Sequence, residues 1–293
     1  MSKINLKAPA KINLFLQVID KRPDGFHNID SLIQAVSLYD DITLEISDDI
    51  ELECSGLDDI NNVEDNLAYK AAKLVAGMAY FPGARITLKK NIPIGSGLGG
   101  GSSDAAFVIR GLIKLFNLQL DRAELVKKAV SLGADIPFFL GHGQSRIRGI
   151  GDIMEDYFLP LNYEILIIKP SFSIKTSKAY QTLNLHRQGE FSLTKEKDIC
   201  FLQKRLTDSG FVRAAKHFTN DFEEVVFSWR HELLQVKQTL LQEGAFYAGM
   251  SGSGSAIFGL FPPNYSFEKA SRRFTNEKMT VFACRPVLLP TTE

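Results

Sequence analysis

Five glycines occupy the seven positions from Gly95 to Gly101, and Ser102, Ser103, Asp104 and a helical apolar pattern follow at once. Glycine costs backbone entropy and contributes no packing, so such a cluster points to close approach of the main chain to a bulky ligand. The helix behind it would aim unpaired N–H groups and the positive end of its dipole at that ligand, which makes a phosphate the first expectation. No GK[ST] occurs, so a Walker A loop is excluded. Without an HRD or DFG triplet, the protein-kinase set fails as well. Gly95, Gly97 and Gly100 satisfy GxGxxG, and Asp121 lies about twenty residues on, as a dinucleotide fingerprint asks. The preceding ARITLKKNIPI alternates and contains Pro93, however, whereas the first strand of a doubly covered parallel sheet should be continuously apolar. The plain alternative is a flexible turn from strand to helix, which so many glycines followed by Ser-Ser-Asp argue against.

Other residues carry chemistry of their own. The backbone amides from Gly95 to Ser103 would wrap phosphates, and the hydroxyl of Ser102 or Ser103 could reach a phosphate or a magnesium ion. Ser-Ser at a helix start also reads as simple capping. Asp135 in GADIPFFL is a carboxylate in an apolar setting; locally it reads equally well as a catalytic group or as the N-cap of a short helix with Pro137 in its first turn. Lys11 stands among Ile12, Leu14 and Leu16, either at a solvent-facing edge or where a cation is wanted, and Asn13 shares its strand face. His27 follows the turn signal Asp24-Gly25 and should be near a loop. Gly252, Ser253 and Gly254 form a second glycine-rich turn that reads as a hairpin connection. Asn66 can cap a helix or lie beside a nucleotide.

The elements that must position these groups follow from periodicity. Lys11–Ile19, Ser31–Val36 and Ile42–Ile46 alternate as half-buried antiparallel strands, and Ala84–Lys89 does so before the glycine loop. A helix is expected from Asn66 through Val75, another over Asp104–Phe116, and a third from Asp121, with Glu124 in capping-box position, to Gly133. Tyr163–Ile168 is a nearly continuous apolar strand. Helical patterns fill Lys175–Glu243, and Ala245–Met250, Ser255–Phe261, a helix from Phe267 and Thr280–Cys284 complete a split βαβ, ferredoxin-like order with helical insertions. A domain boundary is expected near residue 158. At 293 residues there is room for one large domain or two modest ones, and 34 basic against 34 acidic residues advertise neither nucleic acid nor a membrane as partner. Cys54, Cys200 and Cys284 have no metal spacing and read as buried thiols in a reducing compartment. The N-terminal apolar stretch is too brief to span a bilayer and lacks a cleavage site after it, so the cytoplasm is expected.

PIGSGLGGGSSDAA resembles the ATP-binding loop of the GHMP kinases, PAKINLFLQV resembles their first motif, and GMSGSGSAIFGLF resembles their third. The three motifs stand in order over nearly the whole chain. The resemblance implies an α+β, two-domain GHMP kinase fold: an N-terminal mixed α/β nucleotide-binding domain over 1–158 and a C-terminal ferredoxin-like domain over 159–293. It implies ATP as phosphoryl donor, held by Pro93, Ile94, Gly95, Ser96, Gly97, Leu98, Gly99, Gly100, Gly101, Ser102, Ser103 and Asn66, with Mg2+ as charge partner. Asp135 becomes the base that accepts the proton of the acceptor hydroxyl, with Lys11 beside it favouring the charged carboxylate and the developing alkoxide. KRPDGFHNI, GADIPFFL and RGIGD resemble the member of the family that acts on a cytidine-diphosphate-linked methylerythritol. In that case His27 recognises the cytosine, Tyr180 stacks on it, and Asn13, Phe26, Asp135, Gly252 and Ser253 line the acceptor site. Phe26 stands where the family commonly has Tyr, so any hydrogen bond of that hydroxyl is absent here. No dedicated protein metal site and no obligate protein partner are evident.

Overall fold

The computed structural model describes residues 2–56, 62–186, 205–275 and 279–290. A long hairpin organises its first half: β1 (Lys3–Lys21) runs antiparallel to β2 (His27–Ile46). Ser31–Val36 and Ile42–Ile46, expected as two strands, are thus one. The intervening Ser37-Leu38-Tyr39-Asp40-Asp41 is polar enough to read as a break, yet it stays in strand while β2 exchanges partners on its other edge. β3 (Ile50–Gly56) leads through α1 (Leu67–Ala76) to β4 (Ala84–Lys90), which pairs parallel with β3 and antiparallel with Asp41–Ile46 of β2. Asn66 caps α1 as expected, its side chain accepting from Ala68 N–H at 2.9 Å.

α2 (Gly100–Phe116) starts four residues earlier than Asp104, the start expected from sequence. Glycines read as helix breakers, but Gly99, left-handed at φ 71°, caps the helix and Gly100 and Gly101 form its first turn. α3 (Arg122–Leu132) is capped by Asp121 as expected, and α4 (Ile136–Leu140) carries Pro137 in its first turn. β5 (Gln144–Gly149) pairs with Ile29–Gln34 of β2, and β6 (Ile153–Asp156) pairs with β5.

The second sheet begins with β7 (Glu164–Pro170). α5 (Thr176–His186), α6 (Asp208–Ala215), α7 (Asp221–Trp229) and α8 (His231–Gln242) precede β8 (Tyr247–Met250) and β9 (Ile257–Phe261), and α9 (Glu268–Thr275) leads to β10 (Met279–Cys284). Its order, β10-β7-β9-β8 with antiparallel pairs, is the ferredoxin-like arrangement with helices inserted after the first strand. The part of the expected helical stretch over 187–204 lies outside the described residues, as does Cys200.

Three apolar clusters fill the molecule. One packs α1, α2 and α4 under the first sheet, and one packs α5, α7, α8 and α9 under the second. The third joins the halves: Ile12, Leu14 and Leu32 of the hairpin pack with Ile165, Ile167 and Phe258 of the second sheet. That is why β1 is buried on both faces from Ala8 to Val18 instead of half-buried. Cys284 is buried, but Cys54, on the edge strand β3, is exposed, contrary to the reading of the cysteines as buried. Among the described residues, no helix is long and apolar enough to cross a membrane.

Candidate active site

Because both faces of β1 are covered, a charged side chain on it must be paired or face a cavity. Lys11 does both. Its side chain is 5% exposed, its Nζ donates to Asn13 Oδ1 at 2.6 Å, and it lies 3.5 Å from Asp135 Oδ2. Asn13 is held in turn: its Nδ2 donates to Ser31 Oγ at 2.8 Å, and Ser31 donates to the Phe15 carbonyl at 2.7 Å. Asn13 therefore fixes the ammonium. Asp135 is the looser contact, at the N-cap position of α4 but with no side-chain capping bond, so its carboxylate stays available to a ligand.

Asp135, Lys11, Asn13, Phe26, His27, Tyr180, Gly252 and Ser253 line one cavity of about 990 Å³ between the first sheet, α3, α5 and the β8–β9 turn. His27 and Tyr180 stack with ring centroids 4.5 Å apart, and Phe222 packs edge-on against Tyr180. Burial, and then the charge of Asp135, pushes the Tyr180 hydroxyl up to about 12, so it stays a neutral phenol. Phe26 is 62% exposed at the rim.

A second cavity, of about 640 Å³, lies behind the glycine loop and is lined by Asn66, Pro93, Ile94, Gly95, Ser96 and the glycines through Gly101. The two cavities share Gly97, Gly99 and Ser102 as a common wall. Two of the residues assigned to the loop site do not serve it through their side chains. Leu98 is fully buried in the core that joins the halves, and its N–H is turned to Ser96 Oγ at 3.3 Å. Ser103 is fully buried, and its N–H is spent on Gly99 O at 2.9 Å because the helix has already begun. Ser102 is thus the serine that faces both cavities.

The two glycine turns touch. Ser251 Oγ donates to Gly97 O at 2.8 Å, and Ala256 N–H donates to Ser96 O at 3.0 Å. A Cβ on Gly97, at φ 81°, would lie 2.0 Å from Ser251 O, so only glycine permits the contact. Asn220, which the motifs do not single out, caps α7 and holds the second turn by donating to the Met250 and Gly252 carbonyls at 2.7 and 2.8 Å.

Sequence reasoning also missed a buried charge cluster beside the smaller cavity. Lys90, at the end of β4, bonds Asp40 Oδ2 and, at 2.5 Å, Asp104 Oδ2. Burial raises the Asp104 carboxyl above the usual carboxylate range, with Lys90 opposing the rise and Asp40 adding to it. Alternation puts Lys90 on the same buried face as Ala84, Ile86 and Leu88, but its partners lie fifty and fourteen residues away, so no local pattern could identify them. Among the described residues, no group of three or more His, Cys, Asp or Glu could hold a metal ion.

Residues 66–143 match the GHMP kinases N terminal domain and residues 205–280 match the GHMP kinases C terminal domain. The chain is 44% identical to a 4-diphosphocytidyl-2-C-methyl-D-erythritol kinase of Chlorobium chlorochromatii (strain CaD3), over 87% of each chain. It is 40% identical to the like-named protein of Chlorobium phaeobacteroides (strain DSM 266), over 89% of this chain and 87% of the relative. A crystal structure of 4-(cytidine 5'-diphospho)-2C-methyl-D-erythritol kinase superposes with a TM-score of 0.78 at 31% identity, covering 97% of this chain and 99% of that one.

Proposed function

This chain belongs to the GHMP kinase family, and from that premise we propose that it transfers the γ-phosphoryl of ATP to the 2-hydroxyl of 4-diphosphocytidyl-2-C-methyl-D-erythritol, giving the 2-phosphate and ADP in non-mevalonate isoprenoid precursor biosynthesis. GHMP kinases use ATP as phosphate donor. The observation that carries the reading is the shared wall: two cavities meet at Gly97, Gly99 and Ser102, with Lys11 and Asp135 on one side of it and the glycine loop cradling the other. A phosphoryl group crossing that wall passes from a site built of amides to one built of a carboxylate and an ammonium.

Phosphoryl transfer asks the protein chiefly for positioning and charge stabilisation. The N–H groups and dipole of α2 take up the charge of the triphosphate. Asp135 accepts the proton of the acceptor hydroxyl, and Lys11, fixed by Asn13, opposes the negative charge that gathers on the alkoxide. Hard oxygen donors suit magnesium, which keeps most of its ligands from phosphate and water; the Ser102 hydroxyl, on the shared wall, would hold it, and it would neutralise the transferring charge. His27 and Tyr180 offer the cytosine an aromatic face, while the Gly252–Ser253 turn lies at the acceptor's diphosphate.

A coupled ADP-release assay tests the reading with the cytidyl substrate against mevalonate, homoserine and galactose. Turnover of the first alone is expected. Turnover of one of the others in its place overturns the substrate, and ATP-dependent turnover of none overturns the kinase.

A further inference from the structure

The glycine loop is anchored from beneath by a buried set of charges separate from the Lys11–Asp135 pair. Asp40, fully buried in the middle of β2, accepts through Oδ1 from Asn91 N–H at 2.5 Å and from Ile92 N–H at 2.8 Å, the two amides that open the loop. Its Oδ2 bonds Lys90 Nζ, and the same ammonium reaches Asp104 Oδ2 at 2.5 Å in the second turn of α2, where the loop ends. One lysine therefore ties the entry of the loop to its exit. A Cβ on Gly100 would lie only 3.2 Å from Lys90 Nζ, so the ammonium lies directly under the first helical turn. Lys90 and Asp104 also line the smaller cavity, and Asp104 Oδ1 is buried there without a hydrogen-bond partner.

We propose that Asp40, Lys90 and Asp104 form a buried clamp that sets the spacing between the two ends of the glycine loop and so determines affinity for the donor nucleotide, making Lys90 and Asp104 positioning residues for ATP. The inference rests on the smaller cavity being the ATP site. An ordinary structural ion pair would be unremarkable at a strand end, but this one spends a lysine on two carboxylates in a site closed to water. Burying such a set is unfavourable unless its geometry is needed. Tying loop entry to helix start is the geometry that the amide cradle requires, because N–H groups aimed at phosphate lose their effect when they drift by about 1 Å.

The test compares Asp104→Leu, which keeps the branching of the side chain but removes the acceptor, with Asp104→Asn, which keeps the size and an oxygen for Lys90. The leucine variant leaves Lys90 and Asp40 as a neutral pair. It is expected to raise the KM for ATP by about tenfold or more, with kcat at saturating ATP and the KM for the alcohol within about twofold, whereas the asparagine variant stays near the parent. Asp40→Asn cuts the clamp from the other side, keeping an oxygen for the two loop amides while presenting an NH2 to Lys90, and the same ATP-selective rise is expected. The stabilisation of the melting temperature by ATP, measured without any acceptor, should shrink in both clamp-breaking variants. This readout separates failure of the clamp from failure of the kinase assignment, since nucleotide binding is read even if no alcohol is turned over. Unchanged ATP affinity in either clamp-breaking variant, or a parallel rise in the KM for both substrates, overturns the proposal.

Discussion

Asp135 and Lys11 were legible as single residues because each is a charge set among apolar neighbours, and such a charge needs a partner or a ligand. Their pairing came only with the resemblance, since 124 positions separate them and spacing alone cannot join them. The 3.5 Å gap between them, against 2.6 Å from Lys11 to Asn13, leaves Asp135 the less tightly held partner, as the proposed base role requires. Asp135→Asn should therefore lower kcat by about 100-fold or more, the usual scale for lost general-base assistance, while the melting shift caused by ATP persists; near-normal turnover would sink the base role. Tyr180 tests the other end of the acceptor. Stacking on a base is worth about 1–3 kcal/mol, so Tyr180→Ala should raise the KM for the cytidyl substrate by about tenfold or more and leave the KM for ATP in place. An equal rise in both would make Tyr180 a packing residue for Phe222 instead. The Asp40–Lys90–Asp104 cluster was not legible at this scale, because the partners of Lys90 lie fifty and fourteen residues away and no spacing rule joins them.

At the scale of elements, alternation and capping located most strands and helices, and the misses share a cause. The start of α2 and the continuity of β2 were misread because glycine and polar runs are local breakers, and tertiary contacts override them: Gly99 supplies a left-handed cap, and Tyr39 to Asp41 stay paired with β1. Gly97 and Gly101, at the two ends of the glycine loop, differ in what they ask of the backbone, which gives a paired test. Gly97→Ala adds a Cβ 2.0 Å from Ser251 O at a left-handed residue, a conformation that alone costs about 1–2 kcal/mol, so the melting temperature should fall by several degrees. Gly101 has helical backbone and an added Cβ would meet only Leu67 Cδ1 at 3.5 Å, so Gly101→Ala should leave the melting temperature unchanged or raise it. It should nonetheless weaken ATP binding, because Gly101 lines the smaller cavity. Unaltered ATP affinity in Gly101→Ala would place the phosphates away from this turn of α2.

At the scale of the whole molecule, element order suggests two domains with a boundary near residue 158, and the strands fall into two hydrogen-bonded sheets, β1 to β6 and β7 to β10. Composition could not reveal that the hairpin β1–β2 serves both halves. Its first face packs on α2, while Ile12, Leu14, Leu32 and Val36 are buried against Ile165, Ile167, Phe258 and Leu260 of the second sheet. The site depends on this sharing. Lys11 and Asn13 sit on the strand that both halves cover, and Asn13 N–H reaches Ser251 Oγ across the seam at 3.3 Å. Each fully buried large aliphatic side chain contributes about 1.5–3 kcal/mol, and a domain's whole stability is about 5–15 kcal/mol, so uncovering these residues removes a large fraction of what holds either half. The expected consequence is one cooperative thermal transition for the intact chain, with near- and far-ultraviolet circular dichroism melting together. A fragment ending at residue 158 should then lack a cooperative transition or aggregate through its exposed hairpin face. A fragment that melts sharply, with native-like near-ultraviolet signal, would mean that the hairpin's second face is dispensable and that the two halves stand as independent folding units joined only at the cleft.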